Sequence, residues 1–171
     1  MKNLLVTGGC GFIGSNFVRY WLGQHPDSRV VVYDKLTYAG RRENLHDLWN
    51  DPRLSLVVGD IGDQSLVRVT CQEEGIDLIV NFAAETHVDQ SILGPLVFTD
   101  TNVRGTHVLL EVARELGIRL HHISTDEVYG HIPDIHQSVE TDELLRAARM
   151  RPARRRPTSW SRLTPSPTVY P

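Results

Sequence analysis

The stretch LLVTGGCGFIG, Leu4 to Gly14, passes from an apolar run directly into Gly8, Gly11 and Gly14. Beyond it Phe12, Ile13, Phe17, Val18, Trp21 and Leu22 recur at helical spacing, which predicts a strand, a tight turn and a helix with that stripe on the core. The unit repeats. RVVVYD (29–34) precedes a segment ending NLHDLW, LSLVVGD (54–60) precedes DQSLVRVTCQEEG, and DLIVNFAA (77–84) precedes TDTNVRGTHVLLEVARELG. RLHHIST (119–125) supplies a fifth strand, in which one of His121 and His122 is expected to pack and the other to face outward. Apolar strands separated by helices predict an α/β fold, a Rossmann-type doubly wound parallel sheet in the order 3-2-1-4-5, truncated after about five strands.

Such sheets bind ligands at the carboxyl ends of their strands. The three glycines lie there, where they let the backbone bend sharply and approach a pyrophosphate at a helix N-terminus. Asp34 ends the second strand twenty residues after Gly14, the place of a ribose-binding acid. The alternative is an ordinary glycine turn with an ordinary strand-end Asp. An acid at this place repels a ribose phosphate and favours NAD over NADP, and Lys35 beside it weakens that preference. Asp60 is a candidate for adenine, and the small Ala83 and Ala84 would let a cofactor lie close. Each alone also reads as a strand-end cap or a packing choice. STDEVYG (124–130) puts a hydroxyl and two carboxylates after the fifth strand. Adjacent carboxylates can divide acid and base roles if their surroundings push their pKa values apart, and a solvated acidic turn is the alternative.

The bulk numbers narrow the class. All 21 acidic residues lie at or before Glu143, whereas seven of the 18 basic ones, with five prolines, lie beyond Leu145. Cys10 and Cys71 have no metal-ligand spacing, so reduced thiols and no metal site are expected. No apolar run approaches the roughly 20 residues of a membrane span, and MKNLLVTGG reaches its glycines too soon for a signal peptide. A cytoplasmic protein with no membrane partner is expected.

GGCGFIG, YDKLTYAG, GDI, FAAETHVDQSI, TNVRGT and STDEVYG, in this order, resemble the N-terminal half of the dTDP-glucose 4,6-dehydratase family, NAD-dependent members of the extended short-chain dehydrogenase/reductase superfamily. The resemblance implies NAD held by Gly8, Gly11, Phe12, Ile13, Gly14, Asp34, Lys35, Leu36, Thr37, Asp60, Ile61, Phe82, Ala83, Ala84, Glu85, Thr86 and Thr101. It implies a dTDP-glucose substrate lined by Thr86, His87 and Thr125. It further implies that NAD oxidises carbon 4, that Glu127 removes the acidified carbon 5 proton, that Asp126 protonates the departing carbon 6 hydroxyl, and that the hydride returns to carbon 6. Thr125 would hydrogen-bond the carbon 4 oxygen, and the full-length enzyme would be a homodimer. Sugar-nucleotide epimerases share the glycine motif but usually lack the Asp-Glu pair. An epimerase or decarboxylase of the superfamily, or a non-catalytic NAD-binding module, are the other readings. The family also uses a Tyr-x-x-x-Lys pair. The only lysines here are Lys2 and Lys35, and neither follows a tyrosine by four residues.

Residues 1–145 therefore read as an incomplete NAD-binding domain and 146–171 as a disordered basic tail. Loss of one base near the codon for Leu145 accounts for the tail. Read in the shifted frame, Arg149 to Arg154 permit Tyr-Ala-Ala-Ser-Lys, and the junctions beyond permit further family-like sequence. A basic arm for nucleic acid is the rival, but the acidic body offers it no complementary face, and no nucleic-acid partner is expected.

Overall fold

The computed structural model describes residues 2–86, 95–129 and 137–142. The chain divides between Thr125 and Asp126 into two compact units.

The first unit holds five strands, β1 (Asn3–Thr7), β2 (Arg29–Asp34), β3 (Leu54–Val58), β4 (Leu78–Asn81) and β5 (Arg119–His122). All neighbours are parallel and the order is β3-β2-β1-β4-β5, as the alternation of strands and helices predicts. Helix α1 (Phe12–Gln24) follows β1, and α2 (Gln64–Glu73) follows β3. Between β4 and β5 run α3 (Pro95–Phe98), a π-helical stretch (Thr99–Gly105) and α4 (Thr106–Leu116). The segment after β2 makes 3-10 turns over Arg42–Leu48 instead of an α-helix, and Leu45 inside it leaves helical geometry.

Side chains alternate across a strand, so an all-apolar strand feeds two cores. Leu5, Val31, Tyr33 and Ile79 pack on one face with Val67 and Cys71 of α2 and Leu109, Val112 and Ala113 of α4. Leu4, Val6, Val30, Val32 and Val80 pack on the other with Val18 and Leu22 of α1 and with Leu45. The register carries each layer straight across the sheet, since Leu5 lies level with Val31 and Ile79, and Val6 with Val32 and Val80. At the end of β4, buried Asn81 ties three strands together. Its Oδ1 accepts the Thr7 hydroxyl and, at 3.1 Å, the Ala83 N–H, and its Nδ2 meets Nδ1 of His122 at 3.0 Å.

Two expectations need correction. Phe12 and Ile13 are not on the core stripe of α1 but 81% and 64% exposed, because the first turn of the helix projects past the strand ends. His121 and His122 are both exposed, since β5 pairs only with β4 and the described residues do not cover it.

Two arginine forks brace the outside of the first unit. Arg19 grips Asp47 at 2.8 and 2.7 Å, and Arg53 grips Asp51 at 3.0 and 2.7 Å. The Arg19 guanidinium holds the Asp47 carboxyl down to about 2 from the ordinary 3.8, and Arg53 lowers Asp51 in the same direction. A depressed native pKa gives stability that is complete above the unfolded value and lost as pH falls through the native one. Stability should therefore drop between about pH 4 and pH 2, and in Asp47→Asn the slope over that window should be flatter. Urea melts at stepped pH measure it, and an unchanged slope would refute it.

Asp126–Tyr129, in the second unit, form a single 3-10 turn. Val139 N–H donates to Asp142 at 3.1 Å farther on. The expected tail, residues 146–171, lies outside the described residues.

Candidate functional site

The turn from β1 to α1 is built by close approach. Gly8 has φ +68, and a Cβ there would stand 2.7 Å from the Ala83 nitrogen. A Cβ on Gly14 would run into the Gly8 carbonyl oxygen and come within 2.9 Å of Gly9 Cα. Helix α1 therefore begins directly against the β1 and β4 ends. Its N-terminus has no side-chain cap and no acid in its first turn, so its positive end is left for an external anion.

Asp34 is 7% exposed. Its Oδ2 accepts the Cys10 N–H at 2.9 Å and its Oδ1 the Leu36 N–H at 2.8 Å. Both oxygens thus bond the chain, and each keeps a lone pair for a ribose hydroxyl. Leu36 is held at φ +56, a left-handed conformation that a branched side chain rarely adopts, and its bond to Asp34 keeps it there. The Cys10 carbonyl is held from outside by Arg41 N–H at 3.1 Å and by Asn44 Nδ2 at 2.7 Å. Arg19 in turn donates to the Asn44 carbonyl. Burial, with the Asp34 charge, pushes the Cys10 thiol up to about 12, so it stays protonated.

Along the strand ends, Lys35 Nζ meets Asp60 Oδ2 at 2.6 Å. Asp60 Oδ1 accepts the Gly62 N–H at 2.8 Å, and Ile61 is buried beside it. Phe82, Ala83 and Glu85 are half-buried after β4, whereas Ala84, Thr86 and Thr37 are exposed. Asn102 clamps this loop through both ends of its amide, accepting Glu85 N–H at 2.8 Å and donating to Glu85 O at 2.9 Å. Thr101, one residue before the clamp, sits in the π-helical stretch, a distortion that often marks functional sites. The Tyr38 hydroxyl reaches Glu85 at 3.4 Å.

The structure thus gathers the expected dinucleotide residues along one edge of the first unit. Thr125 is exposed at the end of that unit, and Asp126 and Glu127 open the turn of the second. His87 lies outside the described residues. The sequence reads Cys10 only as a reduced thiol and gives no signal for Asn44 or Asn102, although Asn102 stands inside the TNVRGT motif. A cavity of about 450 Å³, lined by Arg42, Trp49, Leu54, Ser55 and Leu56, contains none of the candidate residues. Among the described residues no helix is long and apolar enough to cross a membrane, and no group of three or more His, Cys, Asp or Glu could hold a metal.

The GDP-mannose 4,6 dehydratase family model matches residues 5–147. The chain belongs to this family. The dTDP-glucose 4,6-dehydratase of Mycobacterium tuberculosis (strain ATCC 25618 / H37Rv) is 54% identical over 129 residues, 75% of this chain and 38% of the relative. The crystal structure of a dTDP-glucose 4,6-dehydratase from Streptomyces venezuelae with NAD bound superposes with a TM-score of 0.77 at 53% identity, over 84% of this chain and 45% of that one. A UDP-glucose-4-epimerase from Stenotrophomonas maltophila, also with NAD bound, gives 0.75 at 30% identity over 85% and 43%. The chain spans less than half the length of these 4,6-dehydratase and epimerase relatives. The family match stops where the basic, proline-rich stretch begins.

Proposed function

We propose that this chain is the NAD-binding part of a cytoplasmic dTDP-glucose 4,6-dehydratase. The observation that carries the reading is the bond from Cys10 N–H to Asp34, which locks the glycine turn to the ribose acid as one preformed site. The residues fit the group, because Gly8 and Gly14 let the turn close on bare backbone where a Cβ would collide, and the helix end that follows is uncapped. The backbone of Gly11 to Gly14 would hold the pyrophosphate, and Asp34, Lys35, Leu36 and Thr37 the adenosine ribose. Asp60 and Ile61 would bound the adenine, and Phe82 to Thr86 with Thr101 the nicotinamide half. When bound, the cofactor would accept a hydride from sugar carbon 4 and return one to carbon 6.

The remaining work falls to the chain. Thr125 would hydrogen-bond the carbon 4 oxygen, with Thr86 and His87 along the sugar. Glu127 would take the carbon 5 proton once carbon 4 is a ketone, and Asp126 would protonate the departing carbon 6 hydroxyl. The Asp-Glu pair favours dehydration over epimerisation, which needs no acid for a leaving hydroxyl. The buried, protonated Cys10 and Cys71 suit a reducing cytoplasm. A second copy of the full-length enzyme would cover exposed Leu96, Val97, Val103 and Leu110.

Calorimetric titration tests the cofactor site. The chain should bind NAD in preference to NADP, and Asp34→Ala should lose that preference. It should also lose about 1–3 kcal/mol of stability, because the buried Cys10 N–H is left without its acceptor. Tighter NADP binding by the unsubstituted chain, or an unchanged preference in Asp34→Ala, would overturn the reading.

A further inference from the structure

Two successive residues at the end of β2 send their side chains in opposite directions. Asp34 turns toward the β1 side, where it accepts the Cys10 N–H. Lys35 turns toward the β3 side, where its ammonium sits 2.6 Å from Asp60. The Asp60 carboxylate is fixed from elsewhere as well. Its second oxygen accepts the Gly62 N–H at 2.8 Å, and the Tyr33 hydroxyl donates to its carbonyl at 3.0 Å. Partial burial raises the Asp60 pKa, but the bonds from Lys35 and Gly62 outweigh that and hold it below the ordinary carboxylate value, so the acid is ionised at neutral pH. Arg104 is the other cation at this corner, donating to the Gly62 carbonyl at 3.1 Å.

In such folds a cationic side chain near the ribose, an Arg, accommodates the extra phosphate of NADP. Lys35 has that place in the sequence and a long stem with three donors, yet its ammonium is paired with Asp60 in the loop after β3. We propose that Asp60 is a specificity-determining residue: by pairing with Lys35 it draws the ammonium to the β3 side and keeps it from a phosphate on the ribose at Asp34, so the pair helps select NAD over NADP. This rests on the dinucleotide binding at the glycine turn.

The test is a cycle of four versions of the 171-residue chain, unsubstituted, Lys35→Gln, Asp60→Asn and the double variant, each titrated with NAD and NADP at one ionic strength, with melting curves to show that each folds. Asp60→Asn keeps an acceptor for Gly62 and removes the charge. Any loss of an adenine contact affects both cofactors alike and cancels in their affinity ratio. The Asp60 substitution should raise the NADP-to-NAD ratio about 3- to 10-fold more when Lys35 is present than when it is Gln. An equal rise in both backgrounds means that Asp60 acts only as a repelling charge, and overturns the proposal. No rise in either overturns it too. Should one variant fail to fold, Lys35→Met and Asp60→Ser close the same cycle with the same expectation. If the unsubstituted chain binds neither cofactor, the NAD-binding reading falls and this one with it. If it binds NAD and the cycle shows no coupling, only the role of the pair is lost.

Discussion

Given NAD and dTDP-glucose, the 171-residue chain is expected to turn over at least about 100-fold more slowly than the same chain with its frame restored beyond Leu145. Oxidation at carbon 4 needs a base for the hydroxyl proton, and the base that the resemblance implies is a tyrosine whose pKa is lowered by a lysine four residues on. None of the tyrosines here has that partner. Tyr33 is fully buried with its hydroxyl donated to the Asp60 carbonyl, and burial pushes it well above the ordinary phenol value. Burial and the Glu85 charge also raise Tyr38. Loss of a positioned base costs roughly 100- to 10,000-fold alone, and poorer positioning of the nucleotide sugar adds to it. In the proposed mechanism Asp126 and Glu127 would act only on the ketone that this first step makes. Loss of dTDP-glucose, followed by chromatography for both proteins, decides the matter. Turnover by the chain within tenfold of the restored enzyme would refute the claim, and an inactive restored enzyme would refute the frame reading.

Gly14→Val should cost about 3 kcal/mol of stability or more and abolish NAD binding. The new side chain would start against the Gly8 carbonyl, with Gly9 Cα at 2.9 Å, and both are backbone. No rotamer relieves such a contact, so α1 must lift off the end of β1 and the glycine turn opens. Gly23 in the same helix is the control, since a Cβ there meets nothing within 4 Å. Gly23→Ala should be neutral or stabilising by about 0.5 kcal/mol, through the propensity of the helix alone. Denaturant melts of the two variants separate the effects, and a Gly14→Val protein as stable as Gly23→Ala would mean that the turn is not built as described.

The parts of this molecule legible in the sequence are those set by local patterns. Apolar runs such as Val30–Val32 fix strands, and their alternation with helices fixes strand order. Gly8 to Gly14 and Asp34 sit at distances along the chain that a strand-turn-helix unit dictates. What was not legible depends on contacts between distant residues. Nothing near Asn44 in sequence announces that its amide holds the Cys10 carbonyl 34 residues away, or that Asn102 clamps Glu85 across 17. Lys35 reads as a neighbour of Asp34 until the fold shows it paired with Asp60. The exposure of Phe12 and Ile13 has the same origin. Periodicity gives the face of a helix but not where along its length the sheet beneath it stops.

The strand order also bears on how the chain comes to fold. The first strand made is the central one. It pairs with β2 across a separation of 26 residues, as Leu4 with Val30, but with β4 only across 74, as Leu4 with Leu78. Closing the longer loop costs about 1 kcal/mol more chain entropy. The two edges of β1 are therefore unequal during synthesis. One is covered as soon as β2 emerges, while the other stays open until Asn81 arrives to join Thr7. In that interval Leu4, Leu5 and Val6, fully buried in the finished sheet, make a half-formed surface open to wrong partners.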